Sequence, residues 1–371
     1  MASRRSDVLI IGGGIVGCAC AYELAKRGAS VALVEYGKTG MQATNAAAGM
    51  LAPLSEATPA DQMLDAGLRA LRAYPALVAE LERACGFDLE LRQDGILRVA
   101  YDEDDVTEMR ERAAWQRDAG LDVQWIDAAA CREVEPRISD RVLGGTLSAA
   151  EATVSNQLIA LALGRAARAA GVDIREGAPV TRAKRSRGRI TSLEAGGEGF
   201  AAATIVIAAG ARSGQVGRKL GVALPVFPVR GQMIALGGMS CPIGRPVWGP
   251  DGYLVPRANG LVFAGATVER VGFRRRTTNA GVRAMRAMSV ELVPQLAAAR
   301  VQFAWAGLRP GTPDALPIVG PVPATNVVAA TGHYRSGILL GPMTGAWIAD
   351  GIMTGRWDHV PAAFRFERFA G

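Results

Sequence analysis

The chain has 371 residues, 49% of them hydrophobic, and carries 42 Lys+Arg against 35 Asp+Glu for a net charge of +7. That length implies about two domains with ample core, and no run of about 18 apolar residues offers a transmembrane helix. Basic charge is densest at 184–189 and 274–276; neither run is interleaved with aromatics, which speaks against a nucleic-acid partner and leaves solvated faces with a modest pull on anionic substrates.

Five cysteines stand at 18, 20, 85, 131 and 241 with no CxxC pair. A disulfide framework, a zinc site and a dithiol redox centre are not expected, and with only His333 and His359 as histidines no metal is expected. Cys18 and Cys20 read as small packing residues of the first helix. The start is too short for a signal peptide before the first strand, so the cytoplasm is the expected compartment, with no membrane partner.

An apolar strand, from Asp7 to Ile11, runs into Gly12-x-Gly14-x-x-Gly17; a helix follows over 18–27, and a second strand over 30–34 ends on Glu35. This is a complete dinucleotide-binding βαβ unit with the acid near the expected spacing. Gly12 allows the tight turn, Gly14 lets backbone approach a pyrophosphate, and Gly17 lets the helix pack on the sheet. The helix N-terminus, with Ile15 and Val16, offers amides and a positive dipole end to phosphates. Glu35 accepts from ribose hydroxyls and repels a 2′-phosphate.

A small-residue loop spans 37–49. Helical periodicity follows over 61–84 and 103–119, extended chain around 144–149 and Thr153, a helix over 156–170 and a short strand over 171–174. Residues 180–190 read as a hairpin. A buried strand over 203–210 ends in Ala209-Gly210-Ala211-Arg212-Ser213, a second close approach of backbone to a ligand. Strands at 226–236, 253–256, 261–267 and 299–305 with a helix at 279–295 suggest an antiparallel sheet with a helix on it, inserted into the nucleotide domain. A glycine- and proline-rich loop over 306–320, a strand over 327–330 and a helix over 342–354 complete the chain.

With these motifs in place, the chain resembles the glycine oxidases of the D-amino-acid oxidase family of flavoproteins. The specific blocks are Ala48-Gly49-Met50-Leu51, Pro228-Val229-Arg230-Gly231-Gln232, Tyr253-Leu254-Val255-Pro256-Arg257, Ala306-Gly307-Leu308-Arg309-Pro310-Gly311-Thr312 and Gly332-His333-Tyr334-Arg335-Ser336-Gly337. The resemblance implies an α/β fold: an FAD-binding Rossmann-like domain (1–86, 151–223 and 305–371) with an inserted α+β substrate domain (87–150 and 224–304) on a mostly antiparallel sheet. It implies noncovalent FAD and oxidative deamination of glycine, sarcosine or a small D-amino acid, with O2 as acceptor and imine or oxo acid, ammonia or amine, and hydrogen peroxide as products. A role in making the thiazole of thiamine and a homo-oligomeric, tetrameric assembly follow from the same resemblance, with 261–267 as a sheet edge available for subunit contact.

The resemblance assigns Arg309 and Tyr253 to the substrate carboxylate, because a guanidinium fork grips a carboxylate bidentately and a phenol donates beside it. Arg335 is placed near flavin and substrate, and Met50 against the pocket. Thr44, Ala47, Ala48, Gly49, Val180, Ala209, Gly210, Gly307, His333, Ser336, Gly337 and Ile338 complete the expected cofactor contacts. Two departures are Val268, where a second methionine is common, and Gln42, where Arg or Ser is common. No acid/base constellation stands out, which fits hydride transfer from Cα to flavin N5 without a protein base, so catalysis rests on positioning and electrostatics. The main alternative is a D-amino-acid dehydrogenase passing electrons to a quinone or carrier; a flavin-binding partner without catalysis is a further class. No cysteine lies beyond Cys241, so a covalent flavin tether is not expected.

Overall fold

The computed structural model describes residues 4–58 and 62–369. Two eight-stranded sheets organise the chain. In the first, the fingerprint strand Arg4–Ile11 lies between Val31–Val34 and Glu198–Ile207, both parallel to it. Asp173–Arg175 extends one side, and Val327–Thr331 then Ile318–Pro321 extend the other. The hairpin Val180–Ser186 and Arg189–Ala195 hangs on Glu198–Ile207.

Strands buried on both faces need layers on both faces. On one side the helices Ile15–Lys26, Leu64–Cys85, Asn156–Ala169 and Gly337–Thr354 bury a core of Leu24, Leu33, Leu51, Tyr74, Leu163 and Ile348. Cys18 and Cys20 are fully buried within that core. On the other side the hairpin and the helix Ser213–Leu220 close over Leu9, Ile207, Leu193 and Leu220.

The second sheet runs, in order, Arg300–Gly311, Phe227–Gly237, Val262–Gly265, Gly252–Pro256, Val247–Gly249, Ile96–Ala100, Gly144–Ser148 and Val123–Asp127. Its pairs are antiparallel except Val247–Gly249 with Ile96–Ala100. The helix Asn279–Leu292 packs on it through Met285, Met288 and Leu292.

Three expectations need correction. The 306–320 segment is not a loop throughout, because one strand continues from Arg300 to Gly311 and pairs with Phe227–Gly237 along its length, Pro228 facing Pro310. The 261–267 strand is not an edge: it is bonded to Phe227–Gly237 on one side and Gly252–Pro256 on the other. The last helix begins at Gly337 rather than 342, carrying Pro342 inside it. Pro342 cannot donate to the Ile338 carbonyl, and the buried Tyr74 hydroxyl takes that acceptor instead at 2.9 Å.

Candidate functional site

A cavity of about 480 Å³ is lined from both sheets. Its wall includes Gly12, Gly14, Ile15, Val16, Glu35, Thr44, Ala47, Ala48, Gly49, Met50, Val180, Ala209, Gly210, Tyr253, Gly307, Arg309, His333, Arg335, Gly337 and Ile338. Two expected contacts do not line it. Gly17 is used in packing, since a Cβ there would lie 1.9 Å from the Gly12 carbonyl oxygen. Ser336 stands at the N-cap of the last helix, its carbonyl accepting from the Leu340 amide at 2.8 Å.

At the fingerprint end the backbone makes the site. Gly12 sits at φ +114, a conformation open to glycine alone in practice. The helix Ile15–Lys26 starts from Gly14, so its first-turn amides have no intrahelical acceptor. Thr44 Oγ1 takes the Ile15 amide at 3.1 Å. Glu35 receives the Gly13 amide at 2.7 Å and the Gly37 amide at 2.8 Å, one on each carboxylate oxygen. Each oxygen keeps lone-pair capacity for a ribose hydroxyl. Burial raises the Glu35 pKa, and those two amides oppose the rise. Glycine backbone, a helix start whose N-cap glycine brings no side chain, and a buried acid are the donor and acceptor set that a dinucleotide such as FAD requires.

At the other end the chemistry is cationic. Arg309 comes from the Arg300–Gly311 strand and lies over Gly231 on the paired strand, where an added Cβ would fall 2.3 Å from Nη1. Nη1 donates to the Thr267 carbonyl at 3.0 Å, and the guanidinium stands close enough to the Tyr253 hydroxyl to pull on its pKa. Burial raises the Tyr253 pKa against the pull of Arg309 and Arg335, so the phenol stays protonated and can donate. Trp248 meets the Tyr253 ring edge-on at 5.4 Å.

Arg335 reaches the same end and pairs with Glu56 at 2.6 Å. Glu56 also lines the cavity; its removal from bulk water raises its pKa, opposed first by Arg335 and then by Arg309. The loop carrying Glu56 is gripped by Arg98 of the second sheet, by the helix Glu103–Asp118 and by Glu151. Buried Glu151 accepts the Leu54 and Ser55 amides at 2.7 and 2.8 Å and the Ser55 hydroxyl. Gln116 donates to the Leu54 carbonyl, Arg98 to Ser55, and Arg112 to Ala57. Arg335 is thereby matched by a fixed carboxylate, and Arg309 keeps its charge for a ligand.

His333 is buried, with Nε2 2.9 Å from Thr344 Oγ1. Burial lowers its pKa to about 4, so it is neutral at neutral pH. Apolar wall at this end comes from Met50, Met233, Ala266 and Val268. Sequence reasoning missed Glu56, Arg212, Met233 and Arg275 as lining residues. Arg212 carries a signal in the small-residue turn after the 203–210 strand, and Arg275 in the basic run 274–276, which reads along the chain as a solvated face.

The sequence matches the family of FAD dependent oxidoreductases over residues 7–351. It is 35% identical to a glycine oxidase of Geobacillus kaustophilus, covering 100% of this chain and 98% of that one. It is 34% identical to the bifunctional protein ThiO/ThiG of Synechocystis, covering 98% of this chain and 54% of that protein. The fold superposes on the crystal structure of glycine oxidase from Geobacillus kaustophilus with a TM-score of 0.93, at 33% identity and 98% coverage of both chains.

Proposed function

Given that the chain belongs to the FAD dependent oxidoreductase family, we propose that it oxidises a small amino acid, glycine or sarcosine or a small D-amino acid, to the imine with O2 as the electron acceptor. In this reading 1–86, 151–223 and 305–371 form the FAD-binding domain and 87–150 and 224–304 the substrate-binding domain, with Arg309 reaching across to the substrate. The carrying observation is the Arg309–Tyr253 pair, aimed into the same cavity that the fingerprint lines. The likeness to glycine oxidases over the whole chain supports the substrate class, and the likeness to a ThiO/ThiG protein supports a place in making the thiamine thiazole.

Bound FAD supplies a two-electron acceptor along the cavity. The chain's own residues supply position. Arg309 offers a fork to the substrate carboxylate, and the neutral Tyr253 hydroxyl adds a donor. Holding the carboxylate fixes Cα and converts reaction into a step between oriented groups, worth up to about 7–11 kcal/mol when geometry is ideal. Met50, Met233 and Ala266 wall the site with apolar surface, which excludes water and strengthens the carboxylate pairing. Arg335 and Glu56 cancel as charges, so a zwitterionic substrate meets one uncompensated cation. The start of the last helix at Gly337 brings a positive dipole end to the wall, suited to developing negative charge.

The test is peroxide release by FAD-loaded protein with glycine, sarcosine, D-alanine, D-proline and L-alanine in parallel. Peroxide from glycine or sarcosine is expected. Flavin bleaching without peroxide would replace the oxidase with the dehydrogenase, and a flavin that no amino acid reduces would overturn both.

A further inference from the structure

The segment between Val268 and Thr278 leaves the second sheet, crosses to residues of the first, and returns to the helix Asn279–Leu292. Its two feet are fixed by one side chain. Gln232 donates through Nε2 to Glu269 at 2.7 Å, and its Oε1 accepts the Thr278 amide at 2.7 Å. Arg230 pairs with the same Glu269 and also donates to the Arg276 carbonyl at 2.9 Å. Between those feet the strap touches the fingerprint side twice. Arg275 Nη1 donates to Gln42 Oε1 at 2.6 Å. The Arg212 guanidinium lies 4.8 Å from the Tyr36 ring and 5.1 Å from the Phe273 ring, Tyr36 from the fingerprint side and Phe273 from the strap.

Arg275, Gln42, Arg212 and Tyr36 all line the cavity, beside Gly14, Glu35 and Thr44. Among the described residues Arg275 has no carboxylate partner; its hydrogen bond runs to a neutral amide. The other cations on this wall are engaged differently. Lys219 is bonded to the Val180 carbonyl at 2.7 Å, and Arg309 and Arg335 belong to the substrate end. The diphosphate of FAD is dianionic, and backbone amides with one helix dipole neutralise it only in part. A guanidinium is the side chain best matched to phosphate oxygens.

We propose that residues 269–276 form a clasp over the dinucleotide end of the cavity, in which Arg275 is a ligand of the FAD diphosphate and the Phe273–Arg212–Tyr36 stack is the pin that keeps the strap closed. Tight retention of noncovalent FAD then depends on a segment far from the glycine fingerprint. Arg275 and the Phe273–Arg212–Tyr36 stack meet the fingerprint side, whereas the Glu269 foot bonds Thr267, whose carbonyl holds Arg309, so the FAD contacts are assigned to Arg275 and the stack.

The experiment follows FAD, not turnover. FAD affinity is measured by fluorescence at several salt concentrations, and FAD release is timed after dilution, for the wild type, Arg275→Gln, Phe273→Ala and the control Arg274→Gln. Arg275→Gln is expected to weaken FAD about tenfold and to flatten its salt dependence. Phe273→Ala is expected to speed release several-fold, and Arg274→Gln to leave both unchanged. Unchanged affinity in Arg275→Gln would overturn the diphosphate assignment, and so would an equal loss in Arg274→Gln, which would mean a diffuse charge effect. Unchanged release in Phe273→Ala would overturn the pin. Because these readouts need no substrate, failure here is separable from failure of the oxidase reading.

Discussion

Arg309 rests on Gly231. The two lie on paired strands, and a methyl group at Gly231 would sit 2.3 Å from Arg309 Nη1 and 2.6 Å from both Cζ and Nη2. The strand backbone needs no glycine there for its own conformation. The small residue is there because the guanidinium occupies the space a side chain would fill.

Gly231→Ala should therefore fold and load FAD, because the clash is with the mobile end of a side chain. Its guanidinium must move, so the apparent KM for glycine should rise at least about tenfold, equivalent to about 1.4 kcal/mol, with the flavin spectrum unchanged. Steady-state kinetics on the FAD-loaded variant checks this; an unaltered KM would show that Arg309 does not grip the carboxylate from this position.

Gly17→Ala should fail in the opposite way. Its Cβ would fall 1.9 Å from the Gly12 carbonyl oxygen. That neighbour is backbone, and it cannot swing aside. The helix Ile15–Lys26 must lift off the glycine turn, at a cost on the order of 1–3 kcal/mol or more. A lowered Tm together with weaker FAD binding is expected, measured by thermal melts with and without added FAD.

Arg309→Ala should retain FAD and lose on the order of 2–5 kcal/mol of transition-state binding, the usual loss when one partner of a desolvated charge pair is removed. Tyr253→Phe should cost about 1.5–3 kcal/mol, as for a hydrogen bond to a charged group. The two side chains stand close together, with Arg309 opposing the rise that burial causes in the Tyr253 pKa, so the double variant should cost less than the sum. Strict additivity in the double-mutant cycle would mean that they do not act on one carboxylate.

Glu151 makes stability depend on pH. Burial lifts its pKa from 4.5 to about 7, despite the Ser55 and Leu54 donors. Its folded pKa lies above the unfolded one, so the folded protein binds the extra proton between those values. The contribution is full below pH 4.5 and is lost as pH rises to about 7, a change on the order of 3 kcal/mol. Glu151→Gln removes the titration. Relative to wild type, the variant should gain stability between pH 5 and pH 8 in urea unfolding; a constant difference would show that Glu151 does not titrate in this window.

The fingerprint was legible because its parts are neighbours in the chain. Strand, glycine turn, helix and Glu35 lie within the first 35 residues, and their spacing alone brings them to one cavity. Arg309, Tyr253 and Arg335 were legible only through the resemblance, which supplies motifs whose meaning lies in contacts between distant segments. The 306–320 stretch was misread as loop because glycine and proline weaken local strand signals. Only pairing with Phe227–Gly237 carries the strand through Pro310.

By itself the sequence determined a dinucleotide-binding βαβ unit, the class of cofactor and the elements that repeat with clear periodicity. Tertiary structure decided what isolated residues do. Glu56 is an ordinary acid in a loop until Arg335 arrives beside it, and Glu151 is ordinary until burial and three donors surround it. Arg275 is one of three successive arginines until the strap sets it on Gln42. Periodicity and turn chemistry act over a few residues and can be read along the chain. Charge pairing and desolvation depend on distance in space, which only the folded topology assigns.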